Sequence, residues 1–186
     1  MVYIFLKDGF EEAEALVTAD MLRRAGLKVA LVGNDPVNGS HGICVKSDMP
    51  VEDVTLDNAE LLILPGGLKG VENLTADSRI LELFKSALAS GIRIAAICAA
   101  PSILGKLGLL NGKIATCYPG FESALIGAEA PGASVITDGL ITTGKAAGTV
   151  YPFAFELIRL LCGDDAAKKV CAGVYADEPV NIIRRV

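Results

Sequence analysis

A single thiol stands where a buried strand passes into a helix, in the stretch Ile92 to Leu104, which reads IRIAAICAAPSIL. Ile92 to Ile97 is a short apolar run, as in a strand buried on both faces of a sheet. Cys98 follows at once, and Pro101 suits the first turn of a helix. This order predicts the strand–turn–helix geometry of a nucleophile elbow, in which the turn lifts one side chain out of the sheet.

The position of Cys98 has two interpretations. A helix N-terminus favours negative charge, so we expect the pKa of a thiol there to be lower than that of a free cysteine. The small neighbours Ala99 and Ala100 would let a substrate and backbone N–H groups approach the sulfur. The alternative is a buried structural thiol, because cysteine is among the most buried residue types.

The rest of the chain alternates predicted strands and helices. Strands are predicted at Val2–Leu6, Leu27–Val32, Ile43–Val45, Val51–Val54, Leu61–Leu64, Ile114–Thr116, Val135–Thr137 and Leu140–Thr143, and helices at Glu11–Ala25, Ser78–Ala89, Pro101–Leu107, Gly148–Leu161 and Asp164–Ala172. The first strand, helix and second strand occupy about thirty residues, which is a βαβ unit and requires parallel strands. The alternation predicts a doubly wound α/β sandwich, with a mostly parallel sheet and helices on both faces, as a single domain over residues 1–186.

Composition excludes several classes of function. The net charge is −5 and Lys and Arg do not cluster, so we expect no nucleic-acid partner. The most apolar segment, Ile94 to Leu104, is too short to span a bilayer, and the opening VYIFLKDGFEE predicts a first strand rather than a signal peptide. We therefore expect a soluble cytoplasmic protein without a membrane partner. Five cysteines without C-x-x-C spacing and one histidine support neither a disulfide framework nor a metal site.

Three predicted strands end in residues suited to chemistry. The first leads to the acidic cluster Glu11, Glu12 and Glu14, another ends in Pro65-Gly66-Gly67, and the third ends in Cys98. Because ligands bind beyond the carboxyl ends of parallel strands, these features meet in one cleft if the strands are neighbours. The glycine pair would direct backbone N–H groups at an anion, or would simply form a tight turn.

The carboxyl groups also have alternative interpretations. Glu11 and Glu12 are best explained as charges that complement a helix N-terminus. Glu14 lies near the apolar stripe of the helix, and helical spacing alone does not decide whether it faces the core. His41, in a Gly/Ser-rich loop, is expected on the surface; to serve Cys98 it would have to arrive from another part of the cleft or from a partner subunit. No phosphate loop or dinucleotide fingerprint is present, so no cofactor is expected.

Five segments in this order resemble the ThiJ/PfpI superfamily, and within it the branch of the parkinsonism-associated protein deglycase and its bacterial relatives. They are GFEEAEA (Gly9 to Ala15), RRAG (Arg23 to Gly26), LPGG (Leu64 to Gly67), AICAAP (Ala96 to Pro101) and the late helix after AAGT (Ala146 to Thr149). The resemblance implies a flavodoxin-like fold of the class I glutamine amidotransferase-like type. It also implies Cys98 as nucleophile, Glu14 as the carboxyl that hydrogen-bonds it, and backbone N–H groups from Gly67 and Ala99.

The resemblance further implies a homodimer, with Arg24 and His41 at interface or pocket positions. Two residues depart from the family pattern. Many relatives have a histidine in the cleft where this chain has Tyr118, which leaves Glu14 or water as the base. Peptidase-like relatives have a histidine directly after the cysteine, where this chain has Ala99, so peptidase activity is not expected.

The function implied by this resemblance is a cofactor-independent, cysteine-dependent enzyme acting on reactive carbonyls. Glyoxalase III or protein deglycase activity, such as conversion of methylglyoxal to lactate, would take a small aldehyde or a glycated substrate. The alternative is a redox-sensing or stress-protective protein that acts through oxidation of Cys98. A thiamine-precursor or isonitrile-processing enzyme of the same superfamily is a third interpretation.

Overall fold

The computed structural model describes residues 1–177 and 181–185. Its strands are β1 (Val2–Phe5), β2 (Val29–Val32), β3 (Val37–Asn38), β4 (Cys44–Val45), β5 (Leu61–Leu64), β6 (Arg93–Ile97), β7 (Val135–Asp138), β8 (Ile141–Gly144) and β9 (Ile182–Arg185). Its helices are α1 (Glu12–Arg24), α2 (Leu68–Ala76), α3 (Ser78–Ala89), α4 (Pro101–Lys106), α5 (Val150–Cys162) and α6 (Asp164–Gly173). None of these helices has the length and apolar composition needed to cross a bilayer.

The main sheet has the strand order β2-β1-β5-β6-β8-β7-β9. Neighbouring strands are parallel except for β7 and β8, which form an antiparallel pair. β3 and β4 form a separate antiparallel ribbon. The chain passes from β2 on one side of β1 to β5 on the other, so the order reverses between β1 and β5, where ligands bind in folds of this type. The predicted α/β sandwich with a mostly parallel sheet is confirmed.

Helices cover both faces of the sheet and form two apolar layers. Alternate residues of β1 divide between them: Val2 and Ile4 pack with α1, α5 and α6, whereas Tyr3 and Phe5 pack with α2, α3 and α4. This alternation explains why the central strands are continuously apolar, since both of their faces are buried.

Two predicted strands are wrong. Val51–Asp53 is a 3-10 turn, in which buried Val51 and Val54 are three residues apart and anchor the turn to the core. Ile114 makes a single bridge to Glu129 and begins no strand. Side chains accept the N–H groups of this segment instead of a neighbouring strand. The Ile114 N–H donates to Asp138, and the Thr116 N–H donates to Thr143.

Three elements of the structure, β3, α2 and β9, are absent from the predicted strands and helices. α2 contains Gly70, which weakens helix propensity, but a Cβ at Gly70 would lie 2.8 Å from the Cα of Phe10. β9 is short, and it pairs with β7 from a remote part of the chain. Its Arg184 binds the buried Glu156 at 2.8 Å, and Arg185 pairs with Asp138 on the other face of the sheet.

Candidate active site

The carboxyl ends of three neighbouring strands lie side by side in the main sheet. β1, β5 and β6 are consecutive in the strand order. They lead to the start of α1, which contains Glu14, to the pair Gly66–Gly67, and to Cys98. The sequence predicts that these features meet in one cleft if the three strands are neighbours, and the strands are neighbours.

Cys98 occupies a strained turn between β6 and α4. Its φ angle is 65°, in the left-handed region that residues other than glycine rarely adopt. Two backbone hydrogen bonds hold the turn: the Cys98 N–H donates to the Gly144 carbonyl at 3.0 Å, and the Cys98 carbonyl accepts the Tyr118 N–H at 2.8 Å. The side chain is partly exposed. This geometry matches the predicted elbow and excludes a thiol enclosed in the core.

Glu14 faces the interior at the first turn of α1. Only 1% of the residue is exposed, and its Oε2 accepts the Gly66 N–H at 2.7 Å. A charged side chain that is buried without a positive partner is costly, and such positions are concentrated at functional sites. The orientation that helical spacing left undecided is therefore toward the sheet edge and Cys98.

Gly66 lies against both the acid and the thiol. A Cβ at Gly66 would lie 2.6 Å from Oε2 of Glu14, 2.7 Å from Cβ of Cys98 and 3.1 Å from its Sγ. No side chain fits there, so both reactive groups border the same small space. The sequence prediction assigned a backbone role to Gly67 but not to Gly66, although the glycine pair was the signal that pointed to both. At Gly67 the φ angle is 87°, and a Cβ would lie 2.2 Å from the Gly9 carbonyl oxygen.

The pKa of the Cys98 thiol differs from the sequence expectation. Burial and the adjacent Glu14 carboxylate raise this pKa to about 12. The N–H groups of Ala99 and Gly67 lower the pKa of the thiol, against this effect. The expectation of a lowered thiol pKa is wrong because it considered the helix terminus alone, whereas burial and the carboxylate dominate.

Burial raises the pKa of Glu14 to about 7, although the Gly66 N–H and the Cys98 thiol both stabilise the carboxylate. Two groups this close titrate as a pair. Near neutral pH the pair therefore changes between zero and one negative charge, and it loses its second proton only near the thiol pKa of about 12. A carboxyl group with a pKa near 7 both accepts and returns a proton at physiological pH.

Tyr118 lies at the rim of this site. Its backbone N–H binds the Cys98 carbonyl, and its side chain is 47% exposed. The phenol ring packs edge-on against Phe121, with 6.3 Å between ring centroids.

Arg24 and His41 lie away from the thiol within one chain. Arg24 ends α1, ten residues after Glu14, or about 15 Å along the helix axis, and its Nε binds Asp20 at 3.0 Å. The exposed His41 ring lies 3.0 Å from Oε2 of Glu12 rather than beside Cys98. The structure thus does not place either residue in the pocket formed by its own chain.

Glu12 is a second buried carboxylate that sequence reasoning treated only as a helix-terminal charge. It is 5% exposed and accepts the His41 N–H at 2.6 Å and the Ser40 hydroxyl at 3.1 Å. These contacts lower its pKa to about 2, against the cost of burial, and attach the β3–β4 ribbon to α1. Glu11, Glu12 and His41 bring possible metal ligands within 4.8 Å of one another, but these atoms already bind each other and the backbone.

A model of the DJ-1/PfpI family matches residues 1–160. The chain belongs to the DJ-1/PfpI family. Protein dj-1beta of Drosophila melanogaster is 34% identical over 176 residues, which cover 92% of this chain and 94% of that protein. A deglycase of Pyrococcus abyssi is 30% identical over 164 residues, which cover 86% of this chain and 98% of the deglycase.

A solved structure of a DJ-1 superfamily protein has the same fold. A mutant of a DJ-1 superfamily protein from Salmonella typhimurium has a TM-score of 0.88 and 31% identity to this chain, and the match covers 95% of this chain and 98% of that one. The resemblance drawn from the five sequence segments is confirmed, as is the flavodoxin-like α/β fold that it implied. In this DJ-1/PfpI chain, the thiol, the acid and two backbone donors come together at the elbow after β6.

Proposed function

We propose that this chain is a cofactor-independent enzyme that acts on small reactive carbonyl compounds. Cys98 is the nucleophile and Glu14 is the acid–base group. The observation that carries the proposal is that a partly exposed thiol and a carboxyl of pKa about 7 both lie against Gly66. A DJ-1/PfpI relative that is named a deglycase supports the same class of activity.

The proposed reaction with methylglyoxal starts from the thiol. The sulfur attacks the aldehyde carbon while the thiol proton passes to Glu14, which returns it to the aldehyde oxygen to give a hemithioacetal. The N–H groups of Gly67 and Ala99, which lower the pKa of the thiol, would stabilise the charge that develops in this step.

Glu14 then moves one proton from the former aldehyde carbon to the neighbouring carbon, and the hydroxyl proton of the first carbon passes to the ketone oxygen. The first carbon is oxidised by two electrons and the second is reduced by two, so no redox cofactor takes part. The product is a lactate thioester of Cys98. Water cleaves this thioester to lactate and the free thiol.

Turnover by purified variants tests the proposal. We expect Cys98→Ser to reduce lactate formation to background, and Glu14→Gln to reduce it about 10²- to 10⁴-fold, the usual contribution of a positioned acid or base. Cys162→Ser changes an exposed thiol at the end of α5 and is the matched control. Equal rates for the wild type and Cys98→Ser would contradict the proposal.

The substrate class is tested with two forms of the same aldehyde. Free methylglyoxal measures glyoxalase III activity, and a methylglyoxal adduct of an amine measures deglycase activity. Release of lactate from the adduct must be faster than its spontaneous dissociation to count as deglycase activity. If lactate appears only as fast as free aldehyde is released, the enzyme acts on the free aldehyde.

A second candidate function is redox sensing through oxidation of Cys98. The backbone donors of Ala99 and Gly67 at the sulfur favour this candidate, because they would also bind the oxygen atoms of a sulfenic or sulfinic acid. Mass spectrometry after mild peroxide treatment compares Cys98 with Cys162 and Cys171. Equal oxidation of all three would contradict a sensing role.

A homodimer is also proposed. Arg24 and His41 are both exposed on the single chain, which leaves them available to a second copy. Sedimentation of the wild type and of a double variant, Arg24→Ala with His41→Ala, tests this assignment, and a monomeric wild type would contradict it.

A further inference from the structure

Two buried side-chain oxygens lack a hydrogen-bond partner within the described part of the chain, and both belong to α1. They are Oε1 of Glu14 and Oγ1 of Thr18. Glu14 is 1% exposed and Thr18 is completely buried. Buried polar groups are almost always hydrogen-bonded to protein or to ordered water, because leaving one unpaired destabilises the fold.

The two atoms lie on one face of the helix. Residues four apart in an α-helix are neighbours, with about 5–6 Å between their Cβ atoms. Oε2 of Glu14 accepts the Gly66 N–H at 2.7 Å. The other oxygen, Oε1, is buried without a partner among the described residues, and so is the hydroxyl of Thr18 one helical turn further along α1.

We propose that Thr18 is a positioning residue for Glu14, and that one buried water molecule bridges its hydroxyl to Oε1 of the carboxyl group. A bridging water bonds to two polar atoms that are too far apart to bond directly, and buried waters typically have two to four such partners. This inference rests on the acid–base role proposed for Glu14 and extends it to a residue that does not touch the substrate.

The chemistry of the hydroxyl group suits this role. A threonine hydroxyl and a water molecule both donate and accept hydrogen bonds. The bridge therefore donates to Glu14 when it is a carboxylate and accepts from it when it is protonated. A group that must take and return a proton in each turnover needs a partner for both states. A main-chain N–H group, such as that of Gly66, can only donate, so it offers no acceptor for the O–H of the protonated acid.

The test measures the pH at which alkylation of Cys98 by iodoacetamide levels off, since this pH reports loss of the first proton from the thiol–carboxyl pair. The wild type is compared with Thr18→Val, which removes the hydroxyl, and with Thr18→Ser, which retains it. We expect Thr18→Val to raise this midpoint by about one pH unit, equivalent to tenfold less carboxylate at a given pH below the midpoint. Thr18→Ser is expected to restore the wild-type midpoint.

Thr18→Ala repeats the comparison without adding a branched side chain, and circular dichroism with urea unfolding establishes that each variant is folded. An unchanged midpoint in Thr18→Val and Thr18→Ala, or an equal shift in Thr18→Ser, overturns the inference. A higher urea midpoint in Thr18→Val with an unchanged alkylation midpoint also overturns it, because the hydroxyl would then be unpaired. Alkylation needs no turnover, so a protein that shows the shift but forms no lactate contradicts only the proposed function.

Discussion

Replacing Glu14 with glutamine removes the ionisable carboxyl group beside the Cys98 thiol and keeps the shape of the side chain. The amide oxygen still accepts the Gly66 N–H, which binds Oε2 at 2.7 Å in the wild type. What changes is the titration of Cys98. In the wild type the thiol and the carboxyl share their protons, whereas in Glu14→Gln the thiol titrates alone.

The size of the difference follows from the pKa values. Because the pKa of Glu14 is about 7, half of the pairs are singly charged at pH 7, and their number rises only about twofold by pH 9. The share of these pairs that carries the charge on sulfur does not depend on pH. In Glu14→Gln, burial opposes ionisation of a thiol whose ordinary pKa is 9.0. Its thiolate fraction therefore rises about 50- to 100-fold over the same interval.

The assay is the rate of alkylation of the tryptic peptide 94–106, which contains Cys98 and no other cysteine. Peptides containing the exposed Cys44 and Cys162 are internal controls, since neither lies beside Glu14. We expect a plateau above pH 7 in the wild type and a continuing rise in Glu14→Gln. Parallel pH profiles for the two proteins would refute the idea that the acid and the thiol share a proton.

Three further predictions concern separate features of the chain. Gly66→Ala is expected to reduce lactate formation at least about 100-fold, because its Cβ would displace the acid and the thiol; Gly148→Ala, where a Cβ meets nothing within 4 Å, is the control, and equal activity of the two variants would contradict the prediction. Glu156→Gln is expected to lower the free energy of unfolding by about 3 kcal/mol, since it breaks a buried ion pair with two arginines, and urea denaturation measures this change. Glu12 and then Glu11 raise the pKa of His41, so its charge stabilises the fold fully below its ordinary pKa of 6.5, and this stabilisation is lost as pH rises through the raised value. The stability difference between the wild type and His41→Asn should therefore be larger at about pH 5.5 than at about pH 9, and a difference independent of pH would contradict this.

Periodicity predicted the elements that are apolar and long enough to define their own pattern. β1, β5 and β6 are buried on both faces, so their sequences are continuously apolar and need no partner to be recognised. β9 and the segment at Ile114 were misjudged because their hydrogen bonds go to remote residues: β9 pairs with β7, and the Ile114 N–H binds the Asp138 side chain. Short segments take the structure that their distant partners impose on them.

That a thiol follows a buried strand and precedes a proline-initiated helix is evident from the amino-acid order, because these features are neighbours along the chain. What that thiol faces depends on how the strands are arranged in the sheet. Strand order brings Glu14 and Gly66 to Cys98 across 84 and 32 residues of chain respectively. Whether the pKa of the thiol is raised or lowered depends on these tertiary neighbours. Burial and the adjacent carboxylate raise it, and together they outweigh the local effect of a helix terminus.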